Sequence, residues 1–390
     1  MRAMLEDVRV LDLGAYITAP FATMILAQMG ADTIKVERPP GGDPFRRFSN
    51  EALSSLFQAH NRFKRSVMID YGRPEGLALF ERLVQSADVL VANSRPGVAE
   101  KLGIGAERLR ALNPRLIYCA ITGFGRDGPY AQRPAFDHVG QVLSGWSSRH
   151  RRDDGEARVL GPCLADPVTG MYAATGVLAA LHERARTGRG ALVEVNMLEA
   201  MVAFTMEPIT RYHVTGKEVP LYERASMSQS YTLTCRDGKR VGLHASSVQK
   251  FWEAACHAVG REEWIARYPA RMDRVIHYET IARDLQAIFA TRDRPEWLEI
   301  LDRAGIPFAP EHEVQDLAED PQVRHLDIFY DTEHPVFGTM KMARRPVWVD
   351  GERDVPNLPP PDLGEHTEAV LRELGLSAAM IAEGRRAGVL

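Results

Sequence analysis

Val8-Arg9-Val10-Leu11-Asp12-Leu13-Gly14-Ala15-Tyr16-Ile17-Thr18-Ala19-Pro20-Phe21-Ala22-Thr23-Met24-Ile25-Leu26-Ala27-Gln28-Met29-Gly30-Ala31-Asp32-Thr33-Ile34-Lys35-Val36-Glu37 reads as strand, helix, strand. Val8 to Leu13 is a short apolar run suited to a buried strand. Pro20 to Met29 has a helix-starting proline and is closed by Gly30, and Thr33 to Glu37 supplies the second strand. The three form a βαβ unit. Working outward, Val67 to Asp70, Val89 to Ala92 and Leu116 to Thr122 repeat the strand signal, with helical stretches Glu75 to Ala87 and Val98 to Leu112 between them. Such alternation predicts an α/β fold with a mostly parallel sheet covered on both faces. After a helix that begins at Asp166 and is broken by Gly188 and Gly190, Leu192 to Val195 gives another strand and Met197 to about Tyr212 a long helix. Residues 1–204 therefore read as a Rossmann-like large domain.

Composition changes beyond that helix. His213 to Gln229 is polar and loop-like, so residues 205–227 are expected to be a connector. Tyr231 to Cys235 and Arg240 to His244 flank Asp237-Gly238, a hairpin turn signal. Helical patterns follow at Val248 to Val259, Tyr278 to Ala290 and Glu296 to Ala304. Residues 228–315 are thus expected to form a small α+β domain inserted in the large one. A second connector at 316–335 leads to 336–390, the return to the large domain, with a hairpin over Val336 to Val349 and a helix over Thr367 to Leu374.

The chain has 390 residues, 45% of them hydrophobic, enough for a full core. Its net charge is -4 with both signs interspersed, so no basic stripe exists for nucleic acid and none is expected as a partner. Cys119, Cys163, Cys235 and Cys256 are widely separated, with no CxxC pair, which predicts neither a metal site nor a disulfide framework and fits a reducing, cytoplasmic location. Acidic residues follow Met1 closely and no long apolar run appears, so neither a leader nor a membrane partner is expected.

Chemistry is sought in the loops at the carboxyl ends of the strands. Gly14-Ala15-Tyr16-Ile17-Thr18 lacks G-x-G-x-x-G, which argues against a dinucleotide with Glu37 on its ribose. Arg38 to Arg47, Asn61 to Arg65 and Asn93 to Gly97 carry cations that either converge on an anionic ligand or are solvated surface charges. Gly123-Phe124-Gly125-Arg126-Asp127-Gly128 is either a turn or a place of close backbone approach to substrate. His138, beside Asp137, is a candidate base or a structural histidine. The segment Leu160 to Leu181 is almost wholly apolar and carries one carboxylate, Asp166. With Pro167 at the first helical position Asp166 reads as the N-cap; the positive helix end favours its ionised form, which is also a candidate nucleophile.

Together these segments resemble family III CoA-transferases, the formyl-CoA and carnitine CoA-transferase (CaiB/BaiF) type. The resemblance rests on the order of Val10-Leu11-Asp12-Leu13, Pro20-Phe21-Ala22-Thr23, Gly30 to Glu37, Gly41-Gly42-Asp43-Pro44, Lys64-Arg65-Ser66, Ala87 to Asn93, Arg95-Pro96-Gly97, Asn113 to Tyr118, Gly123-Phe124-Gly125 and Thr187 to Gly190. It implies a catalytic Asp166, phosphate ligands at Arg38 and Lys101, a CoA wall at Ile69, Asp70, Tyr71, Gly72 and Asn93, and an aromatic, Phe136, near the thioester. It also implies an interlocked, ring-like homodimer, acyl-CoA and a small carboxylic acid as substrates, and no metal or cofactor beyond coenzyme A. Two departures stand out: Ser94 where the family usually has Phe, and no glycine run at 245–262, which argues against oxalate.

The expected reaction is transfer of CoA from an acyl-CoA donor through an aspartyl mixed anhydride and an aspartyl-CoA thioester, with a backbone N–H of the 123–128 loop facing the oxyanion. An α-methylacyl-CoA racemase of the same fold is the alternative. It needs a His immediately before the Asp, whereas Asp137-His138 has the reverse order, which turns the side chain by about 100° on a helix. A CoA-binding protein without catalysis is the second alternative.

Overall fold

The computed structural model describes residues 3–48, 54–150, 156, 161–245, 249–334, 338–353 and 358–390. Leu160, Val248 and Val336, which open three expected segments, lie outside them. Six strands, β1 (Arg9–Asp12), β2 (Asp32–Glu37), β3 (Lys64–Met68), β4 (Val89–Ala92), β5 (Ile117–Thr122) and β6 (Leu192–Asn196), form one sheet in the order β3-β2-β1-β4-β5-β6. Every pairing is parallel; Val10 lies opposite Thr33 on one side and Val89 on the other. The strand order reverses between β1 and β4, the switch point at whose carboxyl ends open α/β sheets form their ligand crevice.

Alternate residues serve two cores, as a strand period of two requires. Leu11, Leu90 and Tyr118 face one, packed by helices α3 (Pro74–Gln85), α5 (Ala106–Leu112) and the C-terminal helices Thr367–Glu373 and Ala378–Arg386. Val10, Val89, Val91 and Cys119 face the other, covered by α1 (Thr18–Gln28) and α7 (Ala165–Thr187). Between these lie α2 (Ser55–His60), α4 (Val98–Lys101) and α6 (Asp137–Leu143), with α8 (Met197–Phe204) after β6. No described helix is long and apolar enough to cross a membrane.

Two helices expected as continuous are broken. Gly103, at φ +74, and Gly105 separate α4 from α5. The run from Met197 stops at Phe204 and resumes as Met206–Thr215, because Pro208 has no N–H to offer the Phe204 carbonyl one turn back. A short helix, Glu223–Ser228, also forms within the expected polar loop, where Glu223 pairs with Arg211 at 2.7 Å.

The chain divides into two compact units, Met1–Ile209 with Asp327–Leu390, and Thr210–Leu326. The second unit has an antiparallel sheet of β7 (Ser230–Thr234), β8 (Arg240–His244) and β9 (Phe308–Pro310), the first two joined through Asp237-Gly238 with Gly238 at φ +77. Its core is aromatic; Trp297 stacks on Phe289 at 4.3 Å and Trp252 lies parallel to Trp264. In the first unit the return segment adds a hairpin of β10 (Phe329–His334) and β11 (Gly338–Ala343), earlier in the chain than the alternation predicted.

Under the crevice sits a buried charge cluster. Lys35 Nζ donates to Gly14 O at 2.9 Å and lies 2.9 Å from Asp43 Oδ2. Lys64 Nζ is 2.8 Å from Asp12 Oδ2 and also donates to Pro20 O, His60 O and Asn61 Oδ1. Both ammonium groups are inaccessible to water, so each needs the carboxylates and carbonyls around it. Asp12 stays well below the ordinary carboxylate range: burial opposes its charge, and the two lysines with the Gly14 N–H outweigh that. Asp12→Asn leaves two buried cations short of a counter-charge, and urea unfolding at neutral pH is expected to show a loss of about 3–5 kcal/mol; a loss below about 1 kcal/mol would mean the cluster does not hold the loops.

Candidate active site

Helix α7 lies close against α1 because its facing residues are small. A Cβ on Gly170 would stand 2.8 Å from Thr18 O, and Ala173, Ala174 and Val177 are buried behind it. The helix ends at Gly188, φ +70, whose left-handed conformation closes the last turn.

Its start differs from the sequence reading. The cap residue is Leu164, so Asp166 is the second helical residue and not the N-cap, and Pro167 is the third and not the first. The cap is supplied from α6: Asp137 Oδ1 accepts from Leu164 N at 2.7 Å and from Asp166 N at 3.0 Å, while its Oδ2 accepts from Gln141 Nε2. One carboxylate therefore satisfies two of the N–H groups that a helix start leaves open.

Relieved of the capping role, the Asp166 side chain is 8% exposed and makes no hydrogen bond among the described residues. Burial first, then the negative charge of Asp137, push its carboxyl from 3.8 up to about 7. The helix end was expected to favour the ionised form; here the N–H groups that would do so are bound to Asp137, whose charge acts against it. A carboxylate this basic and this poorly solvated is a competent oxygen nucleophile.

The loop after β1 is fastened from three sides. Asn93 Oδ1 accepts from Ala15 N at 3.0 Å, and its Nδ2 donates to Ala15 O at 2.7 Å and to Thr18 Oγ1 at 2.9 Å. Asp43 Oδ1 accepts from Tyr16 N, and Lys35 holds Gly14 O. Tyr16 takes φ +65, rare for a residue with a Cβ, and its ring meets Phe45 and Phe136 edge-on at 5.2 and 5.5 Å. Phe136, 57% exposed, precedes Asp137 in the chain, so an open aromatic adjoins the residue that caps Asp166.

Arg38, Asp70, Tyr71 and Gly72 meet at the carboxyl ends of β2 and β3. Arg38 Nε donates to Asp70 Oδ1 at 3.0 Å, and the guanidinium lies 5.5 Å from the Tyr71 ring. A Cβ on Gly72 would fall 2.4 Å from Arg38 Nη2, so the guanidinium rests against the bare backbone of Gly72 and a side chain there would displace it. Ile69 is fully buried behind them. Lys101 stands exposed at the end of α4, with no hydrogen bond or ion pair among the described residues, and neither bonds nor pairs with the other candidates.

Of the other cations, left open between an anion site and solvated surface, Arg46, Arg62, Lys64 and Arg65 are each taken by a protein partner. Arg46 binds Glu37 through two bonds of 2.7 Å and stacks on Phe57, which also removes Glu37 as a ribose ligand. Arg62 donates to Ala343 O, Lys64 is in the buried cluster, and Arg65 pairs with Asp32 and Glu373. In the glycine loop Gly125 N is taken by Thr122 Oγ1, so it is not an open oxyanion donor, and Gly123 lies against Ala135. His138 is exposed. In the second unit His244 bonds Ser230 and Gln249 accepts from Arg274, while residues 249–258 are helix.

Sequence reasoning missed Tyr16 and Asp137. Tyr16 had a signal, its place in a Gly-Ala-Tyr turn at a strand's carboxyl end. Asp137 had none, because its partners lie 27 and 29 residues away.

The Asp166 environment has a consequence for stability. The folded protein keeps this proton up to about pH 7, whereas the unfolded carboxyl loses it near 3.8. Between those values the folded state binds more protons, so stability falls as pH rises through the window and the full penalty stands above it. Asp166→Asn is expected to raise stability at about pH 8 by roughly 2–4 kcal/mol and to leave it unchanged below about pH 3.5. Equal gains in thermal unfolding at both pH values would remove the charge penalty from this account.

The pattern of CoA-transferase family III matches residues 5–367. Over 95% of this chain and 86% of the relative, the sequence is 31% identical to succinyl-CoA:glutarate CoA-transferase of Mus musculus. Over 95% of this chain and 96% of the relative, it is 34% identical to succinyl-CoA:mesaconate CoA-transferase of Haloarcula hispanica. The crystal structure of a CAIB/BAIF family protein from Brucella suis superposes with a TM-score of 0.83 at 30% identity, covering 94% of this chain and 98% of that one. A parallel sheet of this order, a buried carboxylate at the start of α7 and these likenesses lead to one conclusion: the chain belongs to CoA-transferase family III.

Proposed function

We propose that the protein moves CoA from an acyl-CoA donor to a carboxylic acid acceptor, with Asp166 as the nucleophile. The observation that carries this reading is a buried carboxyl without a hydrogen-bond partner among the described residues, pushed to about 7, at the start of a helix that another carboxylate caps. An Asp166 oxygen attacks the thioester carbonyl, the C–S bond breaks, and CoA leaves as thiolate. The thiolate attacks the Asp166 carbonyl of the mixed anhydride, releasing the donor acid and leaving an aspartyl-CoA thioester. The acceptor carboxylate then repeats the sequence in reverse. No electrons are exchanged with a further group, so coenzyme A is the only carrier needed.

Arg38 and Lys101 are proposed to meet the CoA phosphates, and Ile69 to Gly72 with Asn93 to wall the nucleotide and pantetheine. Arg38 is presented by Asp70 and Gly72 with its guanidinium partly open, which supports a phosphate role. Asn93 has both polar ends engaged by the 15–18 loop, which supports a shaping role for it. Phe136 is proposed to lie by the thioester. Because the relatives named above act on succinyl-CoA with glutarate or mesaconate, the proposed substrates are succinyl-CoA and a short dicarboxylate.

A homodimer is part of the same proposal. Val139, Val142 and Leu143 expose one stripe of α6, and Met171 and Tyr172 expose part of α7. On the other side of the sheet, the face of β5 and β6 opposite α7 borders a groove of about 1230 Å³, lined by Tyr118, Thr122, Glu194 and Asn196. Apolar surface on adjoining helices is what a partner subunit covers. The racemase reading is weaker: the group facing Asp166 is Asp137, and His138 points to solvent.

Incubation with succinyl-CoA alone is expected to load Asp166 with an adduct that hydroxylamine cleaves and intact-mass measurement detects, and Asp166→Ala is expected to abolish both adduct and transfer. Deuterium uptake at the α-carbon without an adduct would replace the transferase by the racemase. Sedimentation at micromolar concentration is expected to give a dimer, and Val142→Arg to weaken it; a monomer that turns over would overturn the dimer.

A further inference from the structure

Among the described residues, Asp137 is the one charged group set against Asp166. From α6 it faces the site directly. Helix α1 carries no charged residue, and the single acid of α8, Glu199, is exposed and bonded to Asn196. Among the described residues of the loop before α7, 161–164, the titratable group is the Cys163 thiol, which burial and the two aspartates push up to about 11, so it is neutral across the working range.

We propose that Asp137 is the positioning residue for the nucleophile: its Oδ1 fixes the first turn of α7 through Leu164 N and Asp166 N, and its charge opposes the Asp166 carboxylate but not the acylated form. The inference rests on Asp166 being the nucleophile. In acylation an Asp166 oxygen bonds to the acyl carbon, the C–S bond breaks, and the electron pair leaves on sulfur. The negative charge departs from beside Asp137 and Asp166 becomes a neutral anhydride. Repulsion present in the reactant is therefore absent in the product, and the same holds for the aspartyl-CoA thioester. The geometry that creates this repulsion also holds Asp166 in place, since one oxygen bonds the Asp166 backbone while the charge faces its side chain.

Asp137→Asn separates the two effects, because the amide oxygen still accepts the two N–H groups and the charge is gone. With succinyl-CoA as the probe, the rate of adduct formation in wild type is expected to fall as pH drops through about 7, where Asp166 takes up its proton. In Asp137→Asn this limb is expected to move down by about one pH unit or more, and the plateau rate at high pH to fall about three- to ten-fold, since a less basic carboxylate is a weaker nucleophile. Asp137→Glu keeps the charge and is expected to keep the limb near its wild-type place. Asp137→Ser serves if the Asn variant does not fold. A purely structural cap would lower the melting temperature and leave the limb unmoved.

A second measurement needs no substrate. Above about pH 7 Asp166→Asn raises the melting temperature, and in the Asp137→Asn background that gain is expected to be at least halved. An unmoved limb together with an unchanged gain, alongside an inactive Asp166→Ala, overturns the role of Asp137 alone. Transfer retained by Asp166→Ala overturns the nucleophile and, with it, this role.

Discussion

Lys35 Nζ, buried at the carboxyl end of β2, is the group on which the crevice depends. It reaches Gly14 O in the loop after β1 and Asp43 Oδ2 in the loop after β2, and Asp12 Oδ2 lies 3.6 Å away. An ammonium out of reach of water is tolerable only with such partners, so its place fixes theirs. Asp43 in turn holds Tyr16 N and Phe45 N with its other oxygen, and Asp12 passes the constraint to Lys64. The wall of the site is set by charges that never touch solvent.

From that cluster the order runs outward. With Gly14 and Tyr16 fixed, Asn93 can clamp Ala15 and Thr18 from β4, across the line where the sheet reverses direction. Thr18 O then lies where Gly170 must lack a side chain, which sets the distance between α1 and α7. The depth of Asp166 follows from how closely those helices pack. Tyr16 in its left-handed conformation turns a ring between Phe45 and Phe136, carrying the same order to the start of α6. Strain at Tyr16 is sustained because three neighbouring groups hold the loop.

Much of this was legible in the sequence, and the limits follow from range. The alternation of apolar runs with Pro and Gly signals gives six parallel strands because each signal is local. Asp166 stands out as the one carboxylate in an apolar segment. Its role at the helix start was misassigned because Asp-Pro is a local cap signal, while the true cap, Asp137, acts through space. Likewise Arg46, Arg62 and Lys64 resemble phosphate ligands by type and position, but each is consumed by a partner on another element, Glu37, Ala343 and Asp12. Cations near a crevice show their use only when their partners are known. Arg38 keeps an open face: Asp70 takes one edge of its guanidinium, which rests against Gly72 and stays partly exposed.

The two carboxylates at the start of α7 show how one fold meets opposite demands. A helix start buried among apolar residues needs acceptors for its N–H groups, and a carboxylate is a strong one. A nucleophilic carboxylate needs the reverse, oxygen atoms that neither water nor N–H groups quench. Placing both functions on Asp166 would lower its basicity just where basicity is useful. Dividing them between Asp137 and Asp166 satisfies the helix and leaves the second carboxyl under-solvated, at the expense of folding stability above neutral pH. The cap comes from another element, which leaves the space at α7's own first turn to the Asp166 side chain. That arrangement gives α6 its position, with Asp137 in its first turn and bonded back to Gln141 on the same helix.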